Sequence, residues 1–181
     1  PPGLRGRLTA LQERLRDVPL DLRLVNPSGI HLTLRFIGEL AEERVDDIVA
    51  ALAAPASAGL SRFTLRAAGL GVFPPRGAPR VIWIDLEGER EPAARLAAAV
   101  DAALVQCGLA AEQRPFTPHL TVARVRGVKR ADWQAALAAL AEERLGDLIV
   151  DRYHLYESQL GRGGATYRKL STWELSGGAD R

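Results

Sequence analysis

Two apolar periods run along this chain, one of a helix and one of a strand. Leu4, Leu8, Leu11 and Leu15 fall at helical spacing, which predicts a helix over about 4–17, stopped by Pro19. Residues 21–25 read as a short strand, Asn26-Pro27-Ser28-Gly29 as a turn, and 30–37 as a second strand. A helix is expected over 41–54, with Val45, Ile48, Val49 and Leu52 on one face. Residues 55–59 read as a linker. Strands over 63–67 and 80–86 then flank a Gly/Pro-rich loop, 69–79.

The order then repeats. A helix is expected over 91–106 and ended by Gly108. A strand follows over 117–125, and then a helix over 131–144 on which Trp133, Ala136, Leu137 and Leu140 cluster. Strands over 148–158 and 166–175 meet across Gly161-Arg162-Gly163-Gly164, a hairpin turn. Each half therefore reads helix, strand, helix, strand, strand, at a period too long for a solenoid. The expected class is α+β: a bilobal, pseudo-two-fold duplicated fold with two antiparallel sheets lining a central cleft and helices outside. We read residues 1–181 as one domain of two similar lobes, about 1–88 and 89–181, with room for strand exchange between them. Clefts between lobes are the default place for a ligand.

The two halves share more than element order. His31-Leu32-Thr33-Leu34 and His119-Leu120-Thr121-Val122 are near copies, 88 residues apart, and hold two of the three histidines. On a strand, residues i and i+2 share a face. His31 would thus point with Thr33 and His119 with Thr121, while the leucines turn the other way. The third histidine, His154, has no threonine two residues on and reads as structural.

Composition narrows the partners. The chain has 181 residues, 25% of them charged and 47% hydrophobic, which is a globular balance. Its apolar stretches are too short to span a bilayer, and no signal-peptide pattern opens it. A single cysteine, Cys107, excludes an internal disulfide framework and fits a reducing compartment. The expected location is the cytoplasm, with no membrane partner. Net charge is only +2, too little for a nucleic-acid coat. Of the 24 basic residues 22 are arginine. Genome composition accounts for most of that choice, although a guanidinium also forks onto phosphate. No methionine occurs, so the chain is expected to lack its natural start.

Several chemistries lack their residues. Zinc wants three or four His, Cys, Asp or Glu ligands, yet only Glu39 and Glu112 lie near the motifs, and there is no His-x-x-x-His or Cys-x-x-Cys. No Gly-x-Ser-x-Gly occurs, and Cys107 is expected mid-helix on a core face. No Walker or Rossmann loop is present. What remains is general acid–base work on a phosphodiester, with no metal and no cofactor. One neutral imidazole takes a proton from the attacking oxygen, and one imidazolium gives a proton to the leaving oxygen. Thr33 and Thr121 supply hydroxyl donors to the non-bridging oxygens or orient the rings. The residues alone do not say which histidine is acid and which is base.

Over nearly its whole length the chain resembles the 2H phosphoesterases, most of all the bacterial and archaeal RNA 2′,3′-cyclic phosphodiesterases, long called 2′-5′ RNA ligases. The resemblance rests on residues 31–38 (HLTLRFIG), on Val72-Phe73-Pro74 and Arg80-Val81-Ile82-Trp83, and on 114–124 (RPFTPHLTVAR). It implies metal-free hydrolysis of a terminal 2′,3′-cyclic phosphate to a 2′-phosphate. It implies His31 as general acid toward the 3′ oxygen, His119 as general base on water, Arg124 on the phosphate and Phe36 stacked on the terminal base. Implied partners are RNA ends bearing the cyclic phosphate, with tRNA fragments or nucleotides as candidates, met by a monomer. RNA ligation by the reverse reaction would use the same histidines, whereas a non-catalytic RNA-end binder would be expected to lose one. Strict alternation sets Arg35 and Ala123 on the histidine face and Phe36 and Arg124 opposite. The implied roles therefore require each strand to bend or bulge just after its threonine, with Gly38 and Gly127 nearby. Relatives usually open with a strand ahead of the first helix, whereas Pro1-Pro2-Gly3 leads straight into one here. Either that strand is missing from the sequence or one lobe has a strand fewer.

Overall fold

A computed structural model describes residues 2–161 and 164–177. The chain forms two compact units, and each takes segments from both sequence halves. Unit 1 comprises residues 1–32, 65–88 and 118–148, and unit 2 comprises 33–64, 89–117 and 149–181.

Helix α1 (Pro2–Leu15) opens unit 1 and buries the four leucines whose spacing predicts it. Strand β1 (Leu20–Leu24) follows. Past it, the Asn26 side chain accepts a 3.0 Å hydrogen bond from the Ser28 amide and starts a short 3-10 turn, Pro27–Gly29. The strand expected over 30–37 does not form. Its ladder is one antiparallel bridge, Leu32 to Leu120. After Leu32 the chain passes into unit 2, where Arg35 finds its partners instead.

In unit 2 the helix expected over 41–54 arrives in pieces: a 3-10 turn at Glu42–Arg44, α2 (Val45–Ala51) and α3 (Ala53–Ser57). Pro55 lies inside α3 and not in a linker. It falls in the first turn, where the amide that proline lacks has no helical partner anyway.

Strands β2 (Phe63–Phe73) and β3 (Val81–Gly88) pair antiparallel, and β2 takes in much of the expected loop. It does so through a bulge at Gly69, whose φ of 78° suits glycine. Helix α4 (Arg90–Gln106) buries Leu96, Val100 and Leu104 in unit 2 and stops before Gly108 (φ 81°). Cys107 caps its end, half-buried, and is not mid-helix on a core face.

Strand β4 (His119–Val128) carries the second motif. The helix expected over 131–144 shrinks to α5 (Trp133–Ala138). The strand expected over 148–158 divides at Asp151 into β5 (Arg144–Val150) and β6 (Arg152–Gly161). Strand β7 (Gly164–Glu174) pairs with β6, while the middle of the expected hairpin turn, residues 162–163, lies outside the described residues.

The class is α+β with two antiparallel sheets. One has five strands in the order β1-β4-β3-β2-β5, and the other is the β6-β7 pair. On one side of the large sheet Leu65, Ile82, Ile84, Leu86, Leu120 and Val122 are fully or almost fully buried. The other side, open, carries the candidate chemistry. In unit 2 the Tyr153 hydroxyl donates to the Leu52 carbonyl (2.5 Å) and accepts from the Ala56 amide (3.1 Å), tying β6 to α3. No described helix is long and apolar enough to cross a membrane.

Candidate active site

Strand β4 presents His119 and Thr121 on the open face and buries Leu120, as alternation requires. The register then breaks. Thr121 pairs with Trp83, but the next partner of β3, Ile82, pairs with Ala123. Val122 is the extra residue of a bulge placed directly after the threonine. Val122 and Ala123 are both fully buried, two successive residues on one side. Beyond them Arg124 pairs with Val81, a residue two before Trp83 and so on its face. The bulge returns Arg124 to the face of His119 and Thr121. A second irregularity follows at Arg126, next to Gly127.

The bulge is held from beneath. The Gln12 amide, on α1, donates to the Val122 carbonyl (2.9 Å) and to the Val25 carbonyl (2.7 Å), while the Val25 amide also donates to Val122 (3.0 Å). Gln12 is 3% exposed, the one buried polar residue among those described. A buried carbonyl needs a donor, and the Val122 carbonyl has two, the Val25 amide and Gln12.

His119 stands among aromatic rings. Phe73 stacks on Trp83 (centroids 5.0 Å, planes 25° apart), and His119 meets both rings edge-on, at 5.3 and 5.8 Å. The indole needs room that only glycine leaves. Gly71 lies across from Trp83, and a Cβ there would run into the ring. Asp85 is the cross-strand partner of His119. The Trp83 N–H is buried with no partner among the described residues.

The first motif reaches this face differently. The Leu32–Leu120 bridge joins the immediate neighbours of the two histidines, so both histidines lie in unit 1. In an antiparallel pairing the residue before one partner faces the residue after the other, which sets His31 across from Thr121. His31 is exposed, and its Nδ1 lies 2.7 Å from the Gly29 carbonyl, a bond that fixes that nitrogen as the N–H.

Thr33 and Phe36 belong to unit 2. Thr33 is exposed, and Phe36 is 69% exposed, a large apolar ring with little of its own surface covered. Arg35 is committed. It donates to Asp101 (2.7 Å), Glu112 (3.1 Å) and the carbonyls of Phe36 (3.0 Å) and Ala110 (2.7 Å). Glu112 also takes Arg114. The Arg114 hydrogen bonds, and after them the charge of Arg35, hold its carboxyl down to about 2. Arg124 makes no ion pair among the described residues, so Glu112 is not its partner. His154 lies in unit 2 with its Nδ1 2.8 Å from the Thr172 hydroxyl, and burial, ahead of nearby Lys169 and Arg152, pushes its pKa below the usual histidine value.

Comparison with known proteins decides the family. Residues 1–162 match the model of the 2′-5′ RNA ligase superfamily. The chain belongs to the 2′-5′ RNA ligase superfamily. A relative from Aeropyrum pernix, named RNA 2′,3′-cyclic phosphodiesterase, is 32% identical over 91% of this chain and 93% of its own. One from Methanothermobacter thermautotrophicus, of the same name, is 30% identical over 96% and 93%. A crystal structure from Thermus thermophilus superposes with a TM-score of 0.80 at 28% identity, covering 98% of this chain and 94% of that one. E. coli LigT, solved with 3′-AMP, shares the fold at a TM-score of 0.75 and 23% identity, over 97% and 93% of the two chains.

Sequence reasoning missed Gln12, Trp83 and Phe73 as parts of this site. The Phe73 and Trp83 segments entered only as carriers of the resemblance. Gln12 sits among the helix leucines with no local sign that its partner is 110 residues away.

Proposed function

We propose that this member of the superfamily hydrolyses RNA 2′,3′-cyclic phosphate ends to 2′-phosphate ends by paired-histidine acid–base catalysis that needs no metal. His119 takes a proton from water as the water oxygen bonds to phosphorus. The phosphorus–3′-oxygen bond then breaks, and His31 gives its proton to that oxygen, leaving a 2′-phosphate and a 3′-hydroxyl. Thr121 and Thr33 donate hydroxyl hydrogens to the non-bridging oxygens. Arg124 forks onto them and gains most as charge builds on the pentacoordinate phosphorus. Phe36 stacks on the terminal base.

The observation that carries this reading is the bulge at Val122, which lines up His119, Thr121 and Arg124 on one face beside the bridge that holds His31. The names of the relatives support the substrate class, RNA with a 2′,3′-cyclic phosphate; tRNA fragments or nucleotides are candidates within it. The test is an RNA with a 2′,3′-cyclic phosphate end, incubated in EDTA, with the product ends mapped. A 2′-phosphate at undiminished rate is expected, with a bell-shaped pH dependence because one imidazole must be neutral and the other protonated. A 3′-phosphate, or loss of activity to the chelator, overturns the mechanism. The superfamily's name keeps ligation in view as the same chemistry reversed. An added RNA with a 5′-hydroxyl in the same assay reads it as joined product.

A further inference from the structure

We infer that unit 1 carries a second phosphate subsite beside the first, formed by Arg23, Arg80 and Arg126 around Arg124, that takes a backbone phosphate of the RNA inward of its reacting end. The inference rests on the function proposed above and adds a chain-length preference to it. A cleft of about 440 Å³ is lined by Arg80, Arg124 and Arg126 together with Ala78, Pro79, Val125, Gly127 and Val128. Two backbone bonds shape its wall: the Val125 amide donates to the Arg80 carbonyl (2.9 Å), and the Arg80 amide to the Phe73 carbonyl (2.7 Å). Across β1, Arg23 is the direct partner of Arg124. Like charges directly opposite on a sheet repel. One guanidinium nitrogen of Arg23 is moreover buried with no hydrogen-bond partner, which is costly for a charged donor.

None of the four arginines makes an ion pair among the described residues, in a chain where Arg14, Arg35, Arg95, Arg114, Arg152 and Arg168 all do. The acid on β1, Asp21, pairs across with Gly127 and makes no ion pair with them. Three guanidinia on one cleft, with Arg23 across the ladder from Arg124 and none of the four in an ion pair among the described residues, suit an anion with several acceptor oxygens. The cleft continues the line His119, Thr121, Arg124 along β4. An RNA whose terminal phosphate sits at the histidines would lead its next phosphates along that line.

The experiment measures binding as well as turnover. A labelled RNA pentamer ending in a 2′-phosphate and a nucleoside 2′-phosphate are titrated against the wild type, Arg23→Met, Arg80→Gln and Arg126→Gln, at two salt concentrations. The pentamer should bind wild type more tightly and with the steeper salt dependence. Arg80 and Arg126 are exposed, so their variants should fold normally. Each should weaken pentamer binding about threefold to fivefold and lower the salt slope by about 0.7, while the nucleoside's affinity stays unchanged. Arg23→Met should weaken the pentamer by about tenfold. A pentamer that binds no better than the nucleoside, or variants that weaken both probes equally, overturns the subsite. If the wild type binds the pentamer in this pattern yet leaves cyclic ends intact, the subsite stands and the hydrolytic reading falls. If it opens cyclic ends but Arg80→Gln and Arg126→Gln leave the pentamer's binding untouched, the reverse holds.

Discussion

The two His-x-Thr segments are near copies in sequence, yet the fold treats them as opposites. His119 and Thr121 lie in a strand paired on both sides, with β1 and β3, corrected by a bulge and braced by Gln12. His31 lies outside any strand, beside the single bridge of Leu32 and with its Nδ1 at the Gly29 carbonyl, and its threonine already belongs to the other unit. Equal local patterns thus give one half inside a sheet ladder and one half outside it. Proton transfer asks both for similar geometry.

Alanine in place of either histidine should break the symmetry of roles. Each variant should lower turnover of the cyclic end by about 10²–10⁴-fold, roughly 3–5 kcal/mol of barrier. The two should separate in pH, since the base variant loses the acid limb of the profile and the acid variant the alkaline limb. Wild-type turnover by His119→Ala would end the comparison.

The arginines that follow the threonines test it at a smaller magnitude. Arg124 faces the open side without an ion pair among the described residues, whereas Arg35 is bonded to Asp101, Glu112 and two carbonyls. Arg124→Lys keeps the charge and loses the fork, and should cost about 10–100-fold in kcat/KM with an unchanged unfolding midpoint. Arg35→Lys should lower the midpoint and leave kcat/KM within about threefold, because its loss is structural. A reversal of the two outcomes would mean that the Val122 bulge does not set the arginine's role.

Gln12 sharpens the contrast between a braced and an unbraced segment. Gln12→Leu removes the side-chain donor to the Val25 carbonyl and leaves the Val122 carbonyl with the Val25 amide alone, and should destabilise the fold by about 1–3 kcal/mol, read by denaturant unfolding. Because it loosens the bulge, it should also lower kcat/KM with the Arg124-dependent part affected first: the further penalty of Arg124→Lys should shrink in the double variant. Full additivity would show that Gln12 acts on stability alone.

The smallest effect concerns the acid that occupies Arg35. Glu112 is depressed from 4.5 to about 2, first by hydrogen bonds from Arg114. A depressed carboxyl contributes stability above its unfolded pKa and loses it as pH falls through the folded one. The unfolding midpoint of wild type should therefore exceed that of Glu112→Gln near pH 6, and the gap should close between about pH 4.5 and 2. A gap that stays constant down to pH 2 would remove Glu112 from the network that holds Arg35.

Sequence by itself determined whatever depends on a few neighbouring residues. The leucines of α1, the strand of the second motif, the turn at Asn26 and both His-x-Thr pairs were legible because periodicity and capping are local rules. It also showed that Arg124 could join His119 only through a bulge, since strict alternation forbids it. Tertiary structure decided what lies beneath that bulge, a buried amide of Gln12 that donates to a carbonyl 110 residues away. Tertiary structure also reduced the strand expected around His31 to one bridge at Leu32, drew Arg35 to acids 66 and 77 residues distant, and opened the room over Gly71 that Trp83 fills. A buried polar group must find a partner wherever the fold brings one, and a short-range pattern carries no record of which distant residue that will be.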